Sequence, residues 1–334
     1  MSDAVNGSST RAADSFSTPL RTNTIHHLEY SGDGVEMALL LLKNLLLTIV
    51  TLGIYRAWAR TNLRRYVWGH VAFLGDRASY VGTGEELFKG WLKLAVLLIG
   101  VLLVLGILGA ILPALKVLVP FVTPFAYITL FALATYSGLR YRLSRTKWRE
   151  IKFGVDKNKE STRDFFQLYF IGVLLSGVTF GIYYPWFKNR ERTFLTNRCR
   201  LGTVHFSYNG QAGDYAALYF KSLFFCVITL GFYIPWMIRA LAEFRLNHTQ
   251  FQSARFLFTL KGGDLLIFAV CAYFGTILTL GLATPWIYNW GLRLFITNVK
   301  LEGDVDMTLV AAAPSEGSSM GEEAVLDYDL DLGF

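Results

Sequence analysis

Apolar residues gather in six long runs, at 37–58, 88–115, 117–139, 165–187, 215–237 and 265–290. Each is long enough for a helix across a hydrocarbon core, which takes roughly 20 residues. The segments between them change character. FKNRERTFLTN (187–197) and MIRALAEFRLN (237–247) are basic and amphipathic, and read as helices lying at a membrane interface. Short alternating stretches at 70–86, 200–214 and 249–264 read as β-hairpins with glycine at their turns. HHLEYSGDGVE (26–36) supplies a lone strand ahead of the first run. The pattern predicts a mainly α, polytopic helical membrane protein of about six spans, with a small cytoplasmic sheet.

Four of the runs end in one phrase: TLGIYRAW (51–58), TFGIYYPW (179–186), TLGFYIPW (229–236) and TLGLATPW (279–286). Gly53, Gly181, Gly231 and Gly281 offer a helix stop. Pro185, Pro235 and Pro285 suit the first position of a new helix, with Ala57 in that place in the first phrase. Trp58, Trp186, Trp236 and Trp286 suit the headgroup level of a bilayer. An acid stands 22 residues before each Trp: Glu36, Asp164, Asp214 and Asp264. Tyr80 and Glu86 repeat the pair Tyr30 and Glu36 after 50 residues. The chain therefore reads as cassettes of about 50 residues starting at 36, 86, 164, 214 and 264. The second is 28 residues longer, the length of one more span and a turn. Each acid is expected to cap its helix and oppose the positive end of the helix dipole.

LLLTIVTLGIYRAWARTNLRRYVWGH (45–70), the turn YVGTGEEL (80–87) and their later echoes resemble the YjgN-like family of bacterial inner-membrane proteins, a domain of unknown function. The likeness covers roughly 27–304 and departs at Ala57, at Ala283–Thr284 and in the acidic C-terminal stretch. It implies a bacterial inner membrane and several spans. It brings no established activity, so no catalytic residue is carried over.

Composition agrees with a membrane setting: 53% of residues are hydrophobic and 17% charged, against about a quarter charged in soluble domains. Residues 1–26 are polar and lack the apolar core of a signal peptide, so they read as a disordered lead-in ahead of the membrane domain at 27–304. From Glu302 onward there are nine acids and no Lys or Arg; with +7 overall, the preceding chain carries +16. Residues 305–334 read as a disordered acidic tail. Positive charge at the ends of apolar runs suits a bilayer with anionic lipid, and no separate basic module points to nucleic acid. If every run crosses, positive charge should alternate between linkers. Yet linkers 139–163, 188–213 and 239–263 carry nine, five and four Lys and Arg. Re-entrant units with both ends on one side are the alternative.

Chemistry is thin. GTGEELFKG (82–90) lacks the third glycine of a dinucleotide loop, and Glu85 and Glu86 would repel phosphate there. His26, His27, His70, His205 and His248 have no metal-site spacing, and Cys199, Cys226 and Cys271 suggest neither a disulfide nor zinc. No catalytic, cofactor-binding or metal-binding residue is assigned, and the chain reads as a non-enzyme. The one candidate site is an intramembrane polar stripe. Lys43 and Lys221 each follow an acid, Glu36 or Asp214, by seven residues and precede Thr51 or Thr229 by eight, on nearly one helical face. Snorkelling of the lysines to the headgroups is the plain alternative. Two functions stay open: a transporter or channel-like protein, or a membrane scaffold that binds anionic lipid.

Overall fold

The computed structural model describes residues 24–111, 115–156 and 159–310. Strand β1 (Ile25–Tyr30) opens the chain. Five units of two helices and one or two strands follow. The first is α1 (Gly34–Val50), α2 (Arg56–Gly69), β2 (Val71–Phe73) and β3 (Asp76–Tyr80). The second is α3 (Gly84–Ile111), α4 (Leu115–Arg145), β4 (Thr146–Trp148) and β5 (Ile151–Val155). The third is α5 (Lys159–Val178), α6 (Tyr184–Thr196), β6 (Cys199–Leu201) and β7 (Val204–Tyr208). The fourth is α7 (Ala212–Ile228), α8 (Ile234–Asn247), β8 (Thr249–Phe251) and β9 (Ala254–Phe258). The last is α9 (Gly262–Leu278), α10 (Thr284–Thr297) and β10 (Val299–Glu302).

The strands do not form a small sheet. All ten close into one antiparallel barrel, in which β1 pairs with β2 on one side and with β10 on the other (His26 opposite Leu301). β4 and β5, which the sequence pattern did not reveal, complete the circuit. The helices close a second ring: each packs on its neighbours in chain order, and α10 returns to α1. The even-numbered helices also lie on strands, α2 on β3, α6 on β7 and α10 on β1.

This overturns the six-span architecture. Among the described residues no helix is long and apolar enough to cross a membrane. The physical reason is chain reversal inside four of the six apolar runs. Run 37–58 is split between α1 and α2, which form an antiparallel hairpin: Asp33 meets Tyr66 at one end, and Asn44 meets Ala59 further along. α1 has 17 residues, about 26 Å of helix at 1.5 Å per residue. The 28 extra residues of the second unit make no separate span either. They lengthen both helices of one hairpin, α3 to 28 residues and α4 to 31, against 17 and 14 in the first unit. A hydropathy window registers composition and is blind to the direction of the chain.

Alternation along the strands decides what fills the barrel. Ala78, Trp148, Leu201 and Phe251 are buried at its centre, with Phe73, Phe153, Phe206 and Phe256 packed on them. Arg77, Lys152, His205, Ser207 and Arg255 occupy the alternate positions and are exposed. The filling continues past β10. Val305, Met307 and Val310 join the same core. Their segment is fastened by Gln252, whose amide donates to the Asp306 carbonyl and accepts from its N–H, and by Ser253, whose hydroxyl donates to the Asp304 carbonyl. At the helix end of the strands, Tyr30, Tyr80, Val155, Tyr208 and Phe258 are all buried. Two of these hydroxyls donate upward at 2.7 Å, Tyr30 to Asn289 Oδ1 and Tyr208 to Asn189 Oδ1. Both asparagines donate in turn to a loop carbonyl, Gly32 and Gly210. The helix ring is thereby tied to the barrel by buried polar pairs.

Candidate functional site

The four repeated phrases build four hairpin apices of one geometry. Each glycine N–H donates to the carbonyl five residues back: Gly53 to Thr48, Gly181 to Ser176, Gly231 to Cys226 and Gly281 to Thr276. This is the longer bond of a Schellman cap. The threonine that opens the phrase closes the reversal. Thr51, Thr179, Thr229 and Thr279 each donate to the carbonyl four residues back and accept from the N–H four residues on, that of Tyr55, Tyr183, Tyr233 or Ala283. Proline then occupies the first turn of α6, α8 and α10, where no partner for its missing N–H is needed.

Between threonine and glycine stands a bulky residue in the left-handed region. Leu52, Phe180 and Leu280 have φ of 51° and Leu230 of 48°. That conformation costs an L-residue with a large side chain about 1–2 kcal/mol. These side chains are also almost completely exposed, at 94%, 98%, 93% and 96% in the same order. Local strain retained at four equivalent positions, each holding an apolar side chain in the open, marks a functional surface. The surface extends down the hairpins through Ile49, Val178, Val227 and Leu278, all exposed. The tip of the second hairpin, at 112–114, lies outside the described residues.

The repeated tryptophans do more than mark a level. Trp58, Trp186 and Trp236 stack on Tyr55, Tyr183 and Tyr233, with centroids 5.9–6.4 Å apart. Trp58 also covers Gly84 at the start of α3, Trp236 covers Gly262 at the start of α9, and Trp286 covers Gly34 at the start of α1. A Cβ on those glycines would stand 2.3–2.6 Å from the indole. The first hairpin is thus locked onto the second, the fourth onto the fifth, and the last onto the first. Gly262→Ala is expected to cost about 1–3 kcal/mol through overpacking. Gly263→Ala, where a Cβ meets open space, should stay within about 0.5 kcal/mol. Thermal unfolding of the two variants in detergent checks this; equal melting temperatures would remove the lock.

Glu36, Glu86, Asp214 and Asp264 sit in first turns, Asp164 stands in the second turn of α5, and the acids are not the caps in the first two units. Asp33 caps α1, accepting from the N–H groups of Val35 and Glu36 at 3.0 Å, and these bonds hold its carboxyl below the usual range. Thr83 accepts from the Glu86 N–H. The acids themselves turn to the residue that precedes their own unit's first strand. Glu36 lies 3.6 Å from His70 Nε2, Glu86 accepts from Arg145 at 2.9 Å, and Asp164 lies 4.0 Å from Arg198. Of the proposed polar stripe, Lys43, Lys221, Asp214 and Thr229 are exposed, and Thr51 is partly buried in its turn. Lys43 stands on the outer face of α1 with the exposed Leu39, Leu42 and Leu46. The positions that face inward are the next ones along, Asn44 at 4% and Ser222 at 2% exposure. The structure therefore does not bring the two lysines to an interior path.

The family described as bacterial protein of unknown function (DUF898) matches this chain at 25–161, 159–213, 194–253 and 237–327. The chain belongs to that family. Among its relatives, the inner membrane protein YjgN of Escherichia coli O157:H7 is 30% identical over 128 residues, covering 38% of this chain and 30% of the relative. The protein of the same name from Salmonella typhimurium LT2 is 28% identical over 141 residues, covering 40% and 32%. The matched part thus spans about a third of the length of these relatives. No solved structure matches.

In this DUF898 protein, Gly and Trp mark the apices in the sequence but leave the outermost residue inconspicuous. Leu52, Phe180, Leu230 and Leu280 look like ordinary members of an apolar run. Their signal was available: a bulky residue between Thr and Gly at a helix stop. Asn189 and Asn289 are equally inconspicuous, although each stands three residues after a repeated Trp. Among the described residues no group of three His, Cys, Asp or Glu could hold a metal ion.

Proposed function

We propose that this protein is a bacterial inner-membrane protein that dips its helix hairpins into the bilayer from the cytoplasmic side and carries its barrel in water as a lipid-contacting scaffold. The observation that carries the reading is the set of four apices, each presenting a Leu or Phe more than 90% exposed. Water does not select such a surface four times over; hydrocarbon does. The barrel supports the same orientation from the other end. A barrel that faces lipid is apolar outside, whereas this one is charged outside and aromatic inside. A solute path along its axis would have to pass Trp148, Phe206 and Phe251, which fill it. The name of the relatives, inner membrane protein, points to the same membrane.

This arrangement also accounts for the evenly basic linkers. Every hairpin starts and ends at a barrel strand, so all linkers belong to one body on one side of the bilayer. Positive charge then has no reason to alternate, and its sum supports a cytoplasmic side beside anionic lipid. Single cysteines at the exposed barrel positions Lys152, His205 and Arg255, in a chain whose Cys226 and Cys271 are replaced by Ala, test it. Cys199 stays, because burial pushes its thiol up to about 12 and leaves it unreactive at neutral pH. A membrane-impermeant maleimide should spare all three positions in intact cells and label all three after permeabilisation. Labelling that alternates from one linker to the next would overturn the reading.

A further inference from the structure

The third hairpin carries a cleft whose polar lining the other hairpins do not repeat. It lies between α5 and α6, has a volume of about 370 Å³, and is floored by Leu168, Gly172 and Phe187. The two helices approach so closely there that a Cβ on Gly172 would stand 2.0 Å from the Phe187 ring. Asp164 and Gln167 from α5 and Tyr183 and Arg190 from α6 line the rest. Three residues after the cassette acid, the first, fourth and fifth units have Leu39, Ala217 and Ile267 in place of Gln167. Four residues after the Trp, they have Asn62, Ala240 and Trp290 in place of Arg190. An amide and a guanidinium are thus particular to this hairpin.

Arg190 Nη1 donates to the Tyr183 hydroxyl at 2.9 Å, which leaves that hydroxyl's own proton for a ligand. Among the described residues no carboxylate pairs with Arg190; Glu191, next to it, is buried and bound by Lys188 at 2.6 Å. Asp164 has only a long contact of 4.0 Å to Arg198, which also donates to Ser161 and to the Phe194 carbonyl. Arg163, about 100° round the helix from Asp164, does not line the cleft. Asp164 stands eight residues, about 12 Å, before Gly172, and Arg190 three residues, about 4.5 Å, after Phe187. The helices are antiparallel, so Arg190 lies roughly 7–8 Å nearer the apex than Asp164.

We propose that this cleft binds the headgroup of a phosphatidylethanolamine-type lipid, its phosphate on Arg190 and Tyr183 and its ammonium on Asp164 and Gln167. The proposal rests on the reading that the hairpins enter the bilayer. The covalent order of such a lipid is acyl chain, phosphate, ammonium. The same order runs from apex to barrel here: the exposed Val178, Leu174 and Ile171, then Arg190, then Asp164. A planar guanidinium matches the two free oxygens of a phosphodiester. Charge-assisted contacts of about 2.7–2.9 Å at each end let the ethanolamine bridge the offset between the two charges. A primary ammonium has three donors for the oxygens of Asp164 and Gln167. Trimethylammonium has none and is recognised by aromatic cages instead.

Lipid retention by the purified full chain tests this. The chain is held in detergent with equal amounts of phosphatidylethanolamine, phosphatidylcholine and phosphatidylglycerol of identical chains, and bound lipid is read by native mass spectrometry. Phosphatidylethanolamine should be retained about fivefold over each of the others, the upper end for one exposed charge pair. Asp164→Asn should bring the three lipids level, and Arg190→Gln should lower phosphatidylethanolamine retention about fivefold. Both side chains are exposed, so both variants should melt with the parent. Asp264→Asn, at the equivalent exposed acid of the unit that has Trp290, should leave the preference unchanged. Equal retention of the three lipids by the parent would sink the headgroup site and leave the hairpins' contact with hydrocarbon standing; retention of none would count against both. A preference for phosphatidylglycerol, or one that survives both variants, would also overturn the proposal.

Discussion

Replacing Leu52, Phe180, Leu230 and Leu280 together by Asp is expected to loosen the protein from membranes at least tenfold while leaving the fold intact. Fully burying one Leu or Phe is worth about 1.5–3 kcal/mol, so four apices that enter hydrocarbon contribute roughly 6–12 kcal/mol. A carboxylate at the same depth opposes insertion further. The outer faces of α1, α3, α7 and α9 stay apolar, which is why release need not be complete. The fold should tolerate the change for a specific reason. All four side chains are more than 90% exposed, and their backbone lies in the left-handed region, which Asp adopts more readily than Leu or Phe. Alkaline extraction of membranes measures the release, and thermal unfolding in detergent measures the fold. A variant that folds like the parent and is extracted no more easily would show that the apices do not meet lipid.

The second large effect concerns the barrel. Ending the chain after Glu302 removes Val305, Met307 and Val310 from the barrel core, along with the hydrogen bonds of Gln252 and Ser253. At about 1.5–3 kcal/mol per side chain, with two of the three only partly buried, the loss should be roughly 3–6 kcal/mol. That is a large share of a typical domain's stability, which is about 5–15 kcal/mol. Ending the chain after Val310 keeps every one of these contacts and should change stability by less than about 0.5 kcal/mol. Denaturant titration of both truncations in detergent decides it. If the shorter chain is as stable as the longer, the segment after β10 merely rests on the barrel.

Some of this molecule could be read directly from the chain. The apex is written in local chemistry: Thr to bridge two helices, Gly for a positive φ, Pro to start the return and Trp at a fixed step beyond. All the bonds involved join residues within five positions of one another, so the phrase carries its own geometry. The strands at 70–86, 200–214 and 249–264 were legible for the same reason, since alternation and a glycine turn specify a hairpin locally. β4 and β5 were not, because a run of basic residues around Trp148 hides the alternation.

Other features had no local signature. Whether an apolar run of about 22 residues crosses a bilayer or folds back depends on what its two halves pack against, and hydropathy is the same for both. Which face of α1 turns inward was settled by the partner helix. Asn44 is buried because its amide reaches the Ala59 carbonyl and Asn62, whereas Lys43 one position earlier falls on the outside. Closure of the barrel rests on His26 meeting Leu301, from strands at opposite ends of the described chain. By itself, then, the sequence determined the turns, the strand hairpins and the spacing of the units, because those are made by bonds a few residues long. The tertiary structure alone decided that the hairpins return to one side, that ten strands close, and which polar residues face inward, because these depend on contacts between segments far apart in the chain.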